Sequence, residues 1–136
     1  MPKSQSANLY EAETPDGLAD IAMRELSERL GGRVSFHPDR ARDAILFMYT
    51  GDPAPLLNLR TVTAVYQLLT FDVPRPKALL GHAHFTRLSA VIAACIRRQP
   101  AGSFQTFAVN AAGSDSTVMQ RLRAAIASET ELADGQ

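Results

Sequence analysis

The residues nearest to chemistry in this sequence are two serines, a turn and a set of arginines. Gly113-Ser114-Asp115-Ser116 stands directly before Val118, Leu122, Ala125 and Ile126, an apolar stripe at helical spacing, with Arg121 and Arg123 on the same segment. Ser and Asp cap helices by accepting a hydrogen bond from a free N–H of the first turn. The same turn geometry, with its unpaired N–H groups and partial positive charge, receives anions such as an RNA phosphate. These residues therefore read either as a capped core helix or as a phosphate cradle. Lys77, Arg97 and Arg98 add cations earlier in the same half of the chain. Ser114, Ser116 and these cations could together meet an anion, and a capped helix with solvated arginine faces accounts for the same residues.

The other reactive residue types lead nowhere catalytic. His82-Ala83-His84 places two imidazoles close in sequence, but no acid or thiol stands at ligand spacing beside them, and a helix-start surface feature is the better reading. Cys95 lies on an apolar helical stripe and is expected to be a small buried hydrophobe. Glu11, Glu13 and Asp16 cluster near one strand end, where exposed strand-end and first-turn acids account for them. The sequence contains no G-x-S-x-G, P-loop, H-E-x-x-H or G-x-G-x-x-G motif. The chain alone is expected to carry no catalytic group, bound cofactor or metal.

Charge sharpens the RNA reading. Net charge is zero over 136 residues, but from Met1 to Asp72 seven basic residues face ten acidic ones, whereas from Val73 to Ser128 seven basic residues face Asp115 alone. The last eight residues add Glu129, Glu131 and Asp134. Such asymmetry suits a polyanion partner, although solvated helix faces also produce arginine pairs. Hydrophobic residues make up 46% and charged residues 21%, a globular balance that argues against disorder away from the ends. A single cysteine, no apolar run of spanning length and no apolar N-terminal leader lead to the expectation of a soluble, cytoplasmic protein.

The elements that must position these residues follow from periodicity. Leu9 to Glu13 alternates as a strand, and Thr14-Pro15-Asp16-Gly17 starts a helix. Leu18, Ile21, Ala22, Leu26 and Leu30 form its apolar stripe, and Gly31-Gly32 ends it. Arg33 to His37 reads as a second strand, Pro38 to Asp43 as a turn, and Ala44 to Tyr49 as a strand buried on both faces. Pro55 to Leu59 suggests a short helix, and Val62 to Val73 a strand-rich run. The order matches a ferredoxin-like βαββαβ pattern, an antiparallel sheet with helices on one face, in the α+β class. A linker at Val73-Pro74-Arg75-Pro76-Lys77 divides the chain into residues 8–73 and 74–136. In the second part, Leu88, Val91, Ile92, Cys95 and Ile96 predict a helix ending at Arg97-Arg98, followed by a mostly buried strand over Phe104 to Val109 and the capped helix.

Three pieces of sequence carry a family resemblance: Tyr10 to Ala22 with Glu25-Leu26, Asn58-Leu59-Arg60-Thr61-Val62 running to Phe71, and Thr106-Phe107-Ala108-Val109 with Gly113-Ser114-Asp115-Ser116. In order and spacing the chain resembles the N-terminal region of THUMP-domain RNA methyltransferases, in which a ferredoxin-like domain precedes a THUMP domain and an S-adenosylmethionine-dependent catalytic domain. It departs from the usual pattern at Leu18-Ala19, where that family has a Leu-Glu pair. The resemblance implies a fragment with a partial THUMP-like domain over 74–136, ending before the later strands of that module. It implies structured RNA, chiefly tRNA or rRNA, as the partner and a guanine base as the parent's target, with Lys77, Arg97, Arg98, Ser114, Ser116, Arg121 and Arg123 as the RNA-binding residues, through phosphate contacts that position the nucleic acid rather than read its bases. S-adenosylmethionine and the contacts of a methyltransferase domain would belong to the missing catalytic part. The competing expectation is a ferredoxin-like domain for protein interaction or small-ligand sensing, because that fold hosts many functions.

Overall fold

Alternation of apolar and polar residues builds the first layer. In the computed structural model, which describes residues 6–40, 43–72, 75–111 and 116–135, strand β1 spans Asn8–Glu13 and buries Tyr10 and Ala12 on one face. Helix α1 spans Ala19–Leu30 and turns Ala22, Leu26 and Leu30 inward. Gly31 ends it with φ of 61°, a left-handed value that side-chain-bearing residues adopt at a cost, and its N–H donates to the Ser27 carbonyl. Strands β2 (Val34–Arg40), β3 (Ala44–Tyr49) and β4 (Ala64–Leu68) complete a four-stranded sheet in the order β2-β3-β1-β4, with every pairing antiparallel. The chain is thus α+β, and α1 carries the connection from β1 to β2 past the intervening β3.

One face of this sheet meets α1. Phe47, Ala12, Ala22 and Leu26 are fully buried there, joined by Tyr10, Ile45, Tyr49, Leu30 and Leu56. Tyr10 stacks on Phe47 with ring centroids 5.6 Å apart and meets Tyr49 edge-on at 6.2 Å. Each fully buried side chain of leucine or phenylalanine size contributes about 1.5–3 kcal/mol, so this layer is the main source of stability for its unit.

Several expectations need correcting. Ile21 is 51% exposed, because the inward stripe of α1 is the narrower set Ala22, Leu26 and Leu30. Strand β3 is buried on one face, through Ile45, Phe47 and Tyr49, while Ala44, Leu46 and Met48 are only half-buried. Strand β2 continues through Pro38 to Arg40 instead of turning. A proline fits there because β2 is an edge strand and its register with β3 shifts between Phe36 and Arg40. The short helix before β4 is a 3-10 turn over Ala54–Asn58, and β4 is five residues long, shorter than the apolar run around it.

The chain divides into two compact units, Met1–Leu69 and Thr70–Gln136. The second begins with a 3-10 turn over Pro76–Leu80 and helix α2 (His82–Arg97). A two-residue strand β5 (Thr106–Phe107), helix α3 (Thr117–Thr130) and a two-residue strand β6 (Ala133–Asp134) follow. β5 and β6 pair in parallel, joined through α3. Met119, Leu122 and Ile126 of α3 are buried against Leu80, Phe85, Leu88, Ile92, Phe107 and Val109.

Two expectations fail here too. The stretch around β5 is not a buried strand, since Phe104 is 45% exposed and Thr106 is exposed. Cys95 is exposed. The side of α2 that packs is Phe85, Leu88 and Ile92, which leaves Cys95 off the packed stripe and within 3.9 Å of Arg98 Nη1. β6, which the apolar pattern does not announce, extends the second unit beyond its last helix. No helix among the described residues is long and apolar enough to cross a membrane.

Candidate nucleic-acid interface

All the candidate RNA-binding residues lie in the second unit, and their environments differ. Lys77 is exposed on the 3-10 turn before α2. Arg97 is the last residue of α2 and Arg98 its C-cap, both exposed, where the negative end of the helix dipole favours cations. Arg121 is exposed on the second turn of α3. Ser116 is the N-cap of α3 and accepts a hydrogen bond from the Met119 N–H at 3.2 Å. Its oxygen is therefore committed to the helix as a cap. Ser114 lies outside the described residues.

Arg123 stands apart from the other arginines. Its Nε meets Asp134 Oδ2 at 3.1 Å, and its side chain is only 15% exposed. The pair fastens α3 to β6. It also changes the charge argument, because the acidic tail belongs to the same unit as the basic segment. By unit, Met1–Leu69 has seven basic and nine acidic residues, and Thr70–Gln136 has seven basic and five acidic. The contrast is −2 against +2, much weaker than the segment counts imply. Lys77, Arg97, Arg98 and Arg121 are the cations of the candidate set that are exposed to a phosphate.

The two histidines open α2 rather than gather ligands. His84 meets Phe71 edge-on at 5.7 Å, and Arg87 lies over the same ring at 5.0 Å while donating to the Thr70 carbonyl at 2.7 Å. These contacts pin the start of the unit to its first long helix. Among the described residues, no group of three or more His, Cys, Asp or Glu side chains can hold a metal ion.

The first unit gathers opposite charge. On the sheet face away from α1, Glu11, Glu13, Asp43, Ala44 and Tyr66 line an open depression of about 180 Å³. Tyr66 donates its hydroxyl to Glu13 Oε2 at 2.8 Å. That hydrogen bond, then the charges of Glu13 and Glu11, push the Tyr66 pKa above its ordinary value of 10.0. A surface of three carboxylates repels phosphate, so this face is unsuited to nucleic acid. Sequence reasoning grouped Glu11 and Glu13 with Asp16. Strand pairing instead brings them to Asp43 and Tyr66, the latter 53 positions from Glu13.

Comparison with protein families, curated proteins and solved structures returned no match.

Within the first unit, a carboxylate of α1 ties that helix to the stretch before β4. Glu25 of α1 accepts hydrogen bonds from the Arg60 N–H at 2.9 Å, from the Thr61 N–H at 3.0 Å and from Thr61 Oγ1 at 2.6 Å. Arg29, one turn along, pairs with Glu25 at 3.2 Å and donates to the Asn58 carbonyl. Burial pushes the Glu25 pKa up. The hydrogen bonds from Thr61 and Arg60, with Arg29 beside them, outweigh burial and hold the carboxyl below its ordinary value of 4.5. The clamp fixes where β4 begins and so sets the register that delivers Tyr66 to Glu13.

Proposed function

We propose that this chain is the RNA-docking part of a THUMP-type, S-adenosylmethionine-dependent RNA methyltransferase, with tRNA or rRNA as its partner. One arrangement supports the reading: an antiparallel β2-β3-β1-β4 sheet with α1 crossing from β1 to β2, followed in the chain by a helix-rich unit with exposed arginines. Read as ferredoxin-like, this sheet has the 3-10 turn at Ala54–Asn58 in the place of the second helix. The second unit, read as a partial THUMP-like module, supplies Lys77, Arg97, Arg98 and Arg121 as backbone contacts. Ser116 contributes through the helix start it caps, and Arg123 only on leaving Asp134. S-adenosylmethionine belongs to a catalytic domain outside these residues.

Phosphate contacts release counterions, so each one lost weakens binding and flattens the salt dependence by about 0.7–0.9 in the slope of log affinity against log salt. The test is tRNA binding over a salt series with Arg97→Glu, Arg98→Glu and Arg121→Glu, singly and together. Loss of affinity with a shallower slope is expected. Unchanged affinity in the triple variant refutes the surface.

A further inference from the structure

The sheet face turned away from α1 contributes nothing to the core cluster of its unit. Strand register sorts its side chains into rows. Leu68, Leu9 and Met48 lie side by side, then Tyr66, Glu11 and Leu46, then Ala64, Glu13 and Ala44, with Asp43 next along β3's approach. One end of the face is apolar and the other acidic.

An antiparallel sheet commonly leaves one face to water, and that face is then polar throughout. This one sets three leucines (Leu9, Leu46 and Leu68) and Met48, all half-buried, beside a tyrosine that is 48% exposed. Tyrosine and methionine are enriched at protein interfaces. Among the described residues neither Glu11 nor Asp43 has an ion pair, while Glu13 is held by Tyr66 at the rim of the depression. The carboxylates do not close on a single metal ion. Their charge excludes an anionic occupant and favours separate cationic side chains.

We propose that this face binds a protein segment that sets lysine or arginine side chains among Glu11, Glu13 and Asp43 and lays apolar side chains over Leu9, Met48 and Leu68. Charge complementarity supplies register, and the apolar row supplies contact area. The occupant is thus a basic amphipathic segment of a partner protein. The inference concerns a different surface from the RNA reading and stands or falls without it.

The experiment uses the full chain and labelled peptides of about eight residues, near the usual strand length. One peptide carries lysine at alternate positions of its first half and leucine at alternate positions of its second, with serine between them, so that both types share one face of an extended chain; a second has glutamate in place of lysine, and a third has serine in place of leucine. Fluorescence anisotropy is expected to detect the lysine–leucine peptide, with the other two bound at least about tenfold more weakly. The combined Glu11→Gln, Glu13→Gln and Asp43→Asn variant is expected to lose about tenfold, as is Leu9→Ser, whose folding is checked by thermal melting. Glu28→Gln, an exposed acid on α1, leaves binding unchanged. No binding of the lysine–leucine peptide, equal binding of the acidic peptide, or full affinity in the charge variant overturns the proposal.

Discussion

Thr61 donates its hydroxyl to Glu25 Oε1 at 2.6 Å across 36 positions of sequence. The Glu25 side chain is 11% exposed and its carboxylate also receives two backbone N–H groups, so this one group organises the whole approach to β4. Glu25→Gln keeps a single acceptor and loses the charge. It is expected to destabilise the chain by about 1–3 kcal/mol, measured by urea unfolding. Because the folded carboxyl titrates below its ordinary value, its contribution is full above about pH 4.5 and is lost as pH falls through the lower folded value. The gap between wild type and Glu25→Gln should therefore narrow from about pH 7 to about pH 3. A gap that stays constant would show that the charge plays no part.

Arg123 and Asp134 form a partly shielded pair. Breaking it by Asp134→Asn is expected to cost at most about 1 kcal/mol, and a double-mutant cycle with Arg123→Gln should return a coupling of the same size. The RNA reading adds a second readout. If the arginine can serve phosphate, weakening this pair by Asp134→Asn and removing a negative charge strengthens tRNA binding, most clearly at low salt. Weaker binding in Asp134→Asn would mean that the pair holds the surface in shape instead.

Tyr66 should titrate late. Its phenol is hydrogen-bonded to Glu13 and faces two negative charges, so its ultraviolet titration is expected above that of an ordinary tyrosine. Glu13→Gln removes one of those charges and should move the curve down. A curve that does not move would place the Tyr66 hydroxyl in solvent rather than on the carboxylate.

The local elements were legible because they follow from neighbours in sequence. The stripe of Ala22, Leu26 and Leu30, the glycine stop at Gly31, the Ser116 cap and the helix ending at Arg97 all rest on short-range spacing. What escaped depends on long-range pairing. Glu13 and Tyr66 meet only because β4 lies beside β1 in one register, and a shift of one residue would turn Tyr66 to the opposite face. Asp134 reads as tail charge until β6 brings it to Arg123. The exposure of Ile21 and Cys95 shows the same limit, since an apolar stripe gives a helix direction but not the width of the surface that covers it.

The parallel pairing of β5 and β6 also sets an order of assembly. Two residues on each strand are joined through the whole of α3, so the loop must close before the pairing returns any free energy. Ala133 and Gly135 donate their N–H groups to the carbonyls of Gln105 and Phe107, and these bonds form only once α3 has docked. A ladder this short is expected to open readily in the native state, which fast amide exchange at both positions would show. On that reasoning the C-terminal edge of the unit is expected to act as a latch, closing late and releasing early.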